Sequence, residues 1–233
     1  MRTFVMGDLH GAHRAMKQVL EKVKFNYSED RLIHIGDVTD GWPDAVECVE
    51  ELMKMKNLVS IRGNHDCWIH DWLEKGIADE WWPEYGGKAT MDSYHRHRKQ
   101  HDNRHLKFFH KQKDYFVDEG KRLFIHAGYD PEELIVLQPS WSFYSERKYW
   151  RMMQKVQEGK MELPEDANGF SEVFIGHTQT IKDYDHELPV NIHHLWNVDQ
   201  GCKSLGRLTL MDVQSKEYVQ SDPVFTLYPD FTG

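Results

Sequence analysis

Along the chain, short apolar runs end abruptly in Gly, His, Asp or Asn. Phe4-Val5-Met6 leads into Gly7-Asp8-Leu9-His10, Leu32-Ile33-His34-Ile35 into Gly36-Asp37, and Leu58-Val59-Ser60-Ile61 into Arg62-Gly63-Asn64-His65-Asp66. Leu123-Phe124-Ile125 precedes His126-Ala127-Gly128, and Val173-Phe174-Ile175 precedes Gly176-His177-Thr178. Runs this short, rich in β-branched and aromatic residues, predict buried strands. Between the early runs the period changes. Over 13–24, Met16, Val19, Leu20 and Val23 fall on one helical face. Beyond Pro43, which suits a first helical turn, Ala45, Val46, Val49, Leu52 and Met53 form a second apolar stripe. Strand, helix, strand, helix, strand predicts right-handed crossover units. Segments 193–198, 208–213 and 224–227 read as further strands separated by turns. The expected fold class is α/β, a mixed sheet or two packed sheets with helices outside.

The middle, about 68–116, breaks this pattern. It holds Trp68, Trp72, Trp81 and Trp82, then a basic and imidazole-rich stretch over 95–105. We expect a helical, cap-like segment within a single domain spanning 1–233. The basic stretch reads first as a solvated helix face; the alternative is a basic face turned toward an anionic substrate. His95, His97, His101 and His105 have helical metal-ligand spacing but lack strand-end placement, so a metal cluster is not expected there.

Composition narrows the class. In 233 residues, 39% are hydrophobic and 12% aromatic, enough for a substantial core, and 29% are charged, close to the usual quarter. Lys and Arg number 29 against 38 Asp and Glu, giving −9 and a pI near 5.9. That balance argues against a nucleic-acid coat or a basic membrane-surface protein. Cys48, Cys67 and Cys202 form no paired motif, so a reduced setting is the default. With no apolar run near ~18 residues and no signal-like start, a cytoplasmic protein without membrane partners is expected.

The strand ends carry Asp8, His10, Asp37, Asn64, His65, His126 and His177. Groups at the carboxyl ends of strands in such a sheet converge on one crevice. Any one of them reads as a turn or a core histidine, but the set is hard to obtain as turns alone. Carboxylates, imidazoles and an amide oxygen suit Mn²⁺, Fe²⁺ or Zn²⁺ and not a thiolate site. Sharing one Asp, the set suffices for two ions, and ions about 3.5–4 Å apart clamp the attacking and leaving oxygens of a phosphoryl transfer.

Gly7-Asp8-Leu9-His10-Gly11, Gly36-Asp37-Val38-Thr39-Asp40, Arg62-Gly63-Asn64-His65-Asp66, His126-Ala127-Gly128 and Gly176-His177-Thr178, in that order, resemble the calcineurin-like metallophosphoesterases. More narrowly they are similar to the bacterial and phage phosphoprotein phosphatase branch, which includes symmetrical diadenosine tetraphosphatases. Val198-Asp199-Gln200-Gly201-Cys202 and Gly206-Arg207-Leu208-Thr209-Leu210 resemble that branch's terminal strands. The resemblance implies a four-layer α/β-β/α sandwich, two central sheets flanked by helices. It implies that Asp8 and His10 bind one ion, that Asp37 bridges, and that Asn64, His126 and His177 bind the second. A metal-bridging hydroxide would attack phosphorus, with His65 as general acid and Asp40 orienting its ring. Arg62 matches the family's phosphate-contacting arginine, and Arg151 loosely resembles a later one. The implied cofactors are two divalent ions, Mn²⁺ first, with Fe²⁺, Zn²⁺ or Mg²⁺ as alternatives.

The chain departs from the family where Gly-Asp-x-x-Asp-Arg-Gly becomes Gly36-Asp37-Val38-Thr39-Asp40-Gly41-Trp42. One phosphate clamp is missing, and Trp42 is a candidate to line the pocket instead. Gly176-His177-Thr178-Gln179 lacks the second His of the wider superfamily, as the narrower branch commonly does. Gly86-Gly87 resembles a loop beside the pocket. The leading expectation is a phosphomonoesterase acting on phosphoserine or phosphothreonine in proteins. The alternative is a dinucleoside polyphosphate or other nucleotide hydrolase, favoured if Trp42, Trp81 and Trp82 stack bases. Polynucleotide-end processing and a non-catalytic scaffold rank below these, so nucleic acid is not an expected partner.

Overall fold

The computed structural model describes residues 1–231. Its first half runs β1 (Thr3–Met6), α1 (His13–Lys22), β2 (Arg31–His34), α2 (Ala45–Leu52), β3 (Asn57–Ser60), α3 (Asn64–Lys75), α4 (Gly87–His97) and α5 (Asn103–His110). There follow β4 (Tyr115–Val117), β5 (Arg122–Ile125), α6 (Ser140–Ser145), α7 (Lys148–Gln157) and β6 (Glu172–Ile175). The chain then forms β7 (Val190–Ile192), β8 (Leu195–Asn197), β9 (Asp199–Gln200), β10 (Arg207–Asp212), β11 (Tyr218–Gln220) and α8 (Val224–Leu227).

One sheet has the order β11-β10-β1-β2-β3, with β9 pairing to β10; the other is β4-β5-β6-β8-β7. Strand alternation shows why they stack. Phe4, Met6 and Leu32 face α1 and α2, while Val5 and Ile33 face inward. On the second sheet Leu123, Ile125, Val173 and Ile175 face α7, and Phe124 and Phe174 meet the first sheet's inner face. The rings of Phe124 and Phe174 stack at 4.9 Å between the sheets. Each such fully buried side chain stabilises the fold by about 1.5–3 kcal/mol. Helix, sheet, sheet, helix is the expected four-layer α/β-β/α sandwich.

Register positions the site. β1, β2 and β3 run parallel with Met6 opposite His34 and His34 opposite Ser60, so all three end at one edge. β5 and β6 are likewise parallel, Phe124 opposite Phe174. The residues after these strands therefore emerge together.

The middle segment carries most of α3, with α4 and α5. Trp72, Trp82, Tyr94 and Phe109 are buried in the core that α1 and α2 share with the first sheet. Its basic stretch is neutralised locally: His97 pairs with Glu47 at 2.8 Å and Lys99 with Glu50 at 2.8 Å, both on α2. Arg104 pairs with Asp102 at 2.7 Å. Apart from His105, which is buried, it is the solvated face of the first reading.

Two local expectations are corrected. Segment 224–227 is a short helix, not a strand; Pro223 precedes it, and a four-residue apolar run has no period that separates the two. Strands β4, β7 and β11 were not foreseen, because each is only three residues long.

Candidate active site

All seven strand-end residues reach one edge of the sandwich, and most line a cleft of about 380 Å³. His10, Asp37, Asn64, His65 and His177 form its wall. Asp8 and His126 lie just beneath, both buried. Asp37 sits at the centre: its Oδ2 is 3.6 Å from His10 Nε2 and 3.4 Å from His126 Nε2. His10 Nε2 is also 3.8 Å from Asp8 Oδ2. Two clusters of potential ligand atoms share Asp37, one with His10 and His65 and one with His126 and His177.

The backbone is shaped for this. His10, Asp37, Asp40 and His177 all adopt left-handed φ, between 49° and 71°, a conformation L-residues hold only when their surroundings impose it. Asp66, buried at the start of α3, accepts from the backbone N–H groups of Asp37, Val38 and Gly63 and so ties the turns after β2 and β3 together. Gly63 is required by close approach, since a Cβ there would collide with the Asp37 carboxylate. In turn the His65 N–H donates to Asp37 Oδ1 at 3.0 Å.

Burial and the neighbouring Asp199 push the Asp8 carboxyl well above its usual range. Burial likewise pushes Asp199 up to about 6, with Asp37 adding to it. Burial also opposes the charge of Asp37, but His126, His65 and His10 outweigh it and hold its pKa well below the usual value. His126, resisted by burial, is pushed up to about 10 by Asp37 and Asp8. A field that so favours a proton on this imidazole favours any cation there. Burial holds His10 and His177 neutral, with His10 further lowered by Lys203 and His177 by His126, leaving lone pairs free.

The residues fit a pair of divalent ions. His126 Nε2, His177 Nε2 and Asn64 Oδ1 are buried with no hydrogen-bond partner, an arrangement proteins avoid unless something else satisfies those atoms. Nδ1 of His10 lies 2.9 Å from the Asp40 carbonyl, and Nδ1 of His126 lies 2.6 Å from the Ile35 carbonyl. Donation there leaves Nε2 of each ring as the ligand atom, the backing metal-bound imidazoles usually have.

His65 is set apart by its partners. Its Nδ1–H donates to Asp40 Oδ2 at 2.9 Å, and Asp40 is itself held by the Thr90 hydroxyl at 2.7 Å and the Trp82 indole N–H at 2.6 Å. The foreseen Gly86-Gly87 segment packs its backbone on Asp40 and Gly41.

Other foreseen residues lie elsewhere. Arg62 and Arg151 do not line the cleft; Arg62 pairs with Asp114 at 3.1 Å, and Arg151 is exposed on α7. Arg147, just before α7, lines it instead. Trp42 is buried against Tyr228 and Trp82 is fully buried, so neither offers a face to a ligand. Trp81 and Tyr85 are exposed and contact Trp68, whose ring meets His65 at 4.3 Å. Sequence reasoning missed Lys203 and Asp199 as cleft residues. The only signal was their place beside Gly201 in a strand-end motif like the others.

Among proteins of known sequence, the symmetrical bis(5'-nucleosyl)-tetraphosphatase of Nitrosomonas europaea is 28% identical over 145 residues, covering 61% of this chain and 47% of that protein. The enzyme of the same description from Neisseria meningitidis is 25% identical over 166 residues, 69% of this chain and 57% of that one. The chain thus spans about half the length of these curated relatives. A candidate diadenosine tetraphosphatase of known structure superposes with a TM-score of 0.68 at 16% identity, over 94% of this chain and 92% of that one. A serine/threonine phosphatase from Saccharomyces cerevisiae gives 0.57 at 13% identity, over 95% and 80%. At these identities the likeness is one of fold. The profile of the calcineurin-like phosphoesterases matches residues 1–199, so the motif order and the sandwich have a common source: the chain belongs to the calcineurin-like phosphoesterase family.

Proposed function

We propose that this protein is a two-metal phosphoester hydrolase whose substrate is a dinucleoside polyphosphate or related nucleotide. The observation that carries the hydrolase reading is the set of buried, unpartnered donor atoms of Asn64, His126 and His177 gathered around the Asp37 carboxylate. In this reading Asp8 and His10 hold one ion, Asp37 bridges, and Asn64, His126 and His177 hold the second. The ions, manganese by preference, supply a water of lowered pKa and neutralise charge on the phosphoryl oxygens. Asp37 is suited to bridge because His10 and His126 approach the same carboxylate oxygen. His65 gives a proton to the leaving oxygen through Nε2, its ring held by Asp40 at Nδ1. Residues 1–233 act as one catalytic unit, the 68–116 segment supporting the cleft from behind through Trp68 against His65 and Trp82 on Asp40.

The nucleotide half of the reading rests on two supports. The curated relatives are named for dinucleoside tetraphosphates, and an aromatic ledge of Trp68, Trp81 and Tyr85 stands beside His65, where a leaving nucleotide would sit. Tyr85 is 57% exposed and Trp81 41%, which leaves ring surface for a base to stack on. Phosphoserine or phosphothreonine in proteins is the competing substrate and finds no comparable support. Among the described residues no helix is long and apolar enough to cross a membrane.

The test is hydrolysis of p-nitrophenyl phosphate, a phosphothreonine peptide and diadenosine tetraphosphate by Mn²⁺-reconstituted protein, with and without chelator. Chelator-sensitive turnover, fastest on the dinucleotide, is expected. Preference for the peptide would overturn the substrate assignment, and no turnover on any of the three would overturn the hydrolase reading.

A further inference from the structure

The cleft contains an ammonium group that the family's motifs do not account for. Lys203, in the turn between β9 and β10, places Nζ 2.9 Å from His65 Nε2 and donates to the Tyr85 carbonyl at 3.1 Å. Its stem passes over Gly41, where the family pattern has arginine: a Cβ built on Gly41 would lie 3.6 Å from Lys203 Cγ. The same Cβ would press on the His10 carbonyl oxygen at 3.1 Å and His10 Cβ at 3.2 Å, and Gly41 holds a φ of 153°. A side chain at 41 would therefore strain the backbone and push on His10.

The neighbouring departure from the family pattern fits this exchange. Trp42 is buried, stacked on Tyr228, and its indole N–H donates to the Cys202 carbonyl at 2.8 Å, while its backbone N–H donates to the His10 carbonyl at 2.7 Å. Trp42 thus fastens the turn that presents Lys203 to the strand-end turn that carries His10. Gly41 clears the space, Trp42 anchors the turn, and Lys203 fills the space with a cation.

We propose that Lys203 is a phosphate-gripping residue of this site, its ammonium contacting the phosphoryl group beside the leaving oxygen that His65 serves, in place of the arginine that position 41 does not carry. This rests on the hydrolase reading above. In this structure Nζ donates to His65 Nε2. Once His65 has taken up from solvent the proton it delivers, the ammonium turns from Nε2 to the substrate oxygen that Nε2 serves, which lies within reach of both nitrogens. A lysine head meets phosphate as a compact point charge, where arginine would grip two oxygens in a fixed plane.

Lys203→Met and Lys203→Arg, each loaded with Mn²⁺, are compared with wild type for inorganic phosphate binding by calorimetry, for kcat and KM on diadenosine tetraphosphate, and for bound Mn²⁺ and Tm. A hydrogen bond to a charged group predicts that Lys203→Met weakens phosphate binding and lowers kcat/KM by roughly 10- to 100-fold. Mn²⁺ content and Tm should stay as in wild type, and Lys203→Arg should recover most of the loss. Undiminished phosphate binding in Lys203→Met would overturn the proposal. Loss of metal or of Tm in step with activity would also overturn it, making Lys203 structural. Phosphate binding needs no turnover, so the two readings fail separately. An active enzyme indifferent to Lys203→Met rejects Lys203 alone. An inactive wild type whose phosphate binding still depends on Lys203 rejects hydrolysis and keeps the anion contact.

Discussion

Asp66→Asn should destabilise the fold through the turns that carry the site. The Asp66 carboxylate takes four hydrogen bonds, on Oδ2 from the N–H groups of Asp37 (2.9 Å) and Gly63 (3.0 Å) and from Gln112 Nε2 (2.9 Å), and on Oδ1 from the Val38 N–H (2.9 Å). Asparagine has one acceptor oxygen. With that oxygen in the Oδ2 position, three bonds survive without their charge, and the amide NH₂ faces the Val38 N–H, donor against donor. A buried donor left unsatisfied costs about 1–3 kcal/mol, and losing the charge weakens the other bonds. A total near ~3 kcal/mol, at ~2–4 °C per kcal/mol for a chain of this size, lowers Tm by about 6–12 °C. The assay is thermal unfolding by circular dichroism with chelator present, so that bound ions do not contribute. It is best run near pH 8, since burial and the adjacent Asp37 push Asp66 up to about 6 and the carboxylate must be ionised. A drop under ~2 °C would refute the claim that Asp66 holds these turns together.

His65→Asn should keep its metal but lose turnover by roughly 10²–10⁴-fold, the usual worth of a positioned acid; wild-type rates would remove His65 from the mechanism. Trp81→Ala should raise KM for diadenosine tetraphosphate about tenfold, from the worth of one stacked base, while p-nitrophenyl phosphate barely responds; equal effects on both would sink the ledge as a base platform. His105, fully buried with Nδ1 2.9 Å from the Tyr94 hydroxyl, has its pKa lowered by burial, Asp102 and Glu50 opposing. Its folded-state pKa lies below the unfolded value near 6.5, so its contribution is full above about pH 6.5 and is lost as the pH falls below that toward the folded pKa. His105→Gln should therefore flatten the fall of Tm between pH 7.5 and 5.5, and an unchanged slope would contradict this assignment.

Much of this arrangement was legible in the sequence because strand ends are punctuated there. An apolar run that stops at Gly-Asp or Gly-Asn-His declares both a buried strand and the polar group it delivers, and the parallel register then brings Asp8, Asp37 and Asn64 to one edge. The arginines were less legible. Arg62 stands two residues before Asn64, yet its long side chain turns to Asp114, a partner 52 residues away that no local pattern announces. Lys203 was invisible for the converse reason: it reaches His65 across 138 residues, and its place depends on the Trp42 bond to Cys202. The tryptophans were sorted only by burial. Trp42 and Trp82 serve the turns around Asp40 and Lys203, while Trp81 keeps a free face.

The central claim is that Asp37 sits between two ions, and counting them tests it most directly. Mn²⁺ titration of the metal-free chain by calorimetry, with elemental analysis of the dialysed product, should give two ions per chain in wild type and fewer in Asp37→Asn. Two ions retained by Asp37→Asn, or none bound by a folded wild type, would contradict the account.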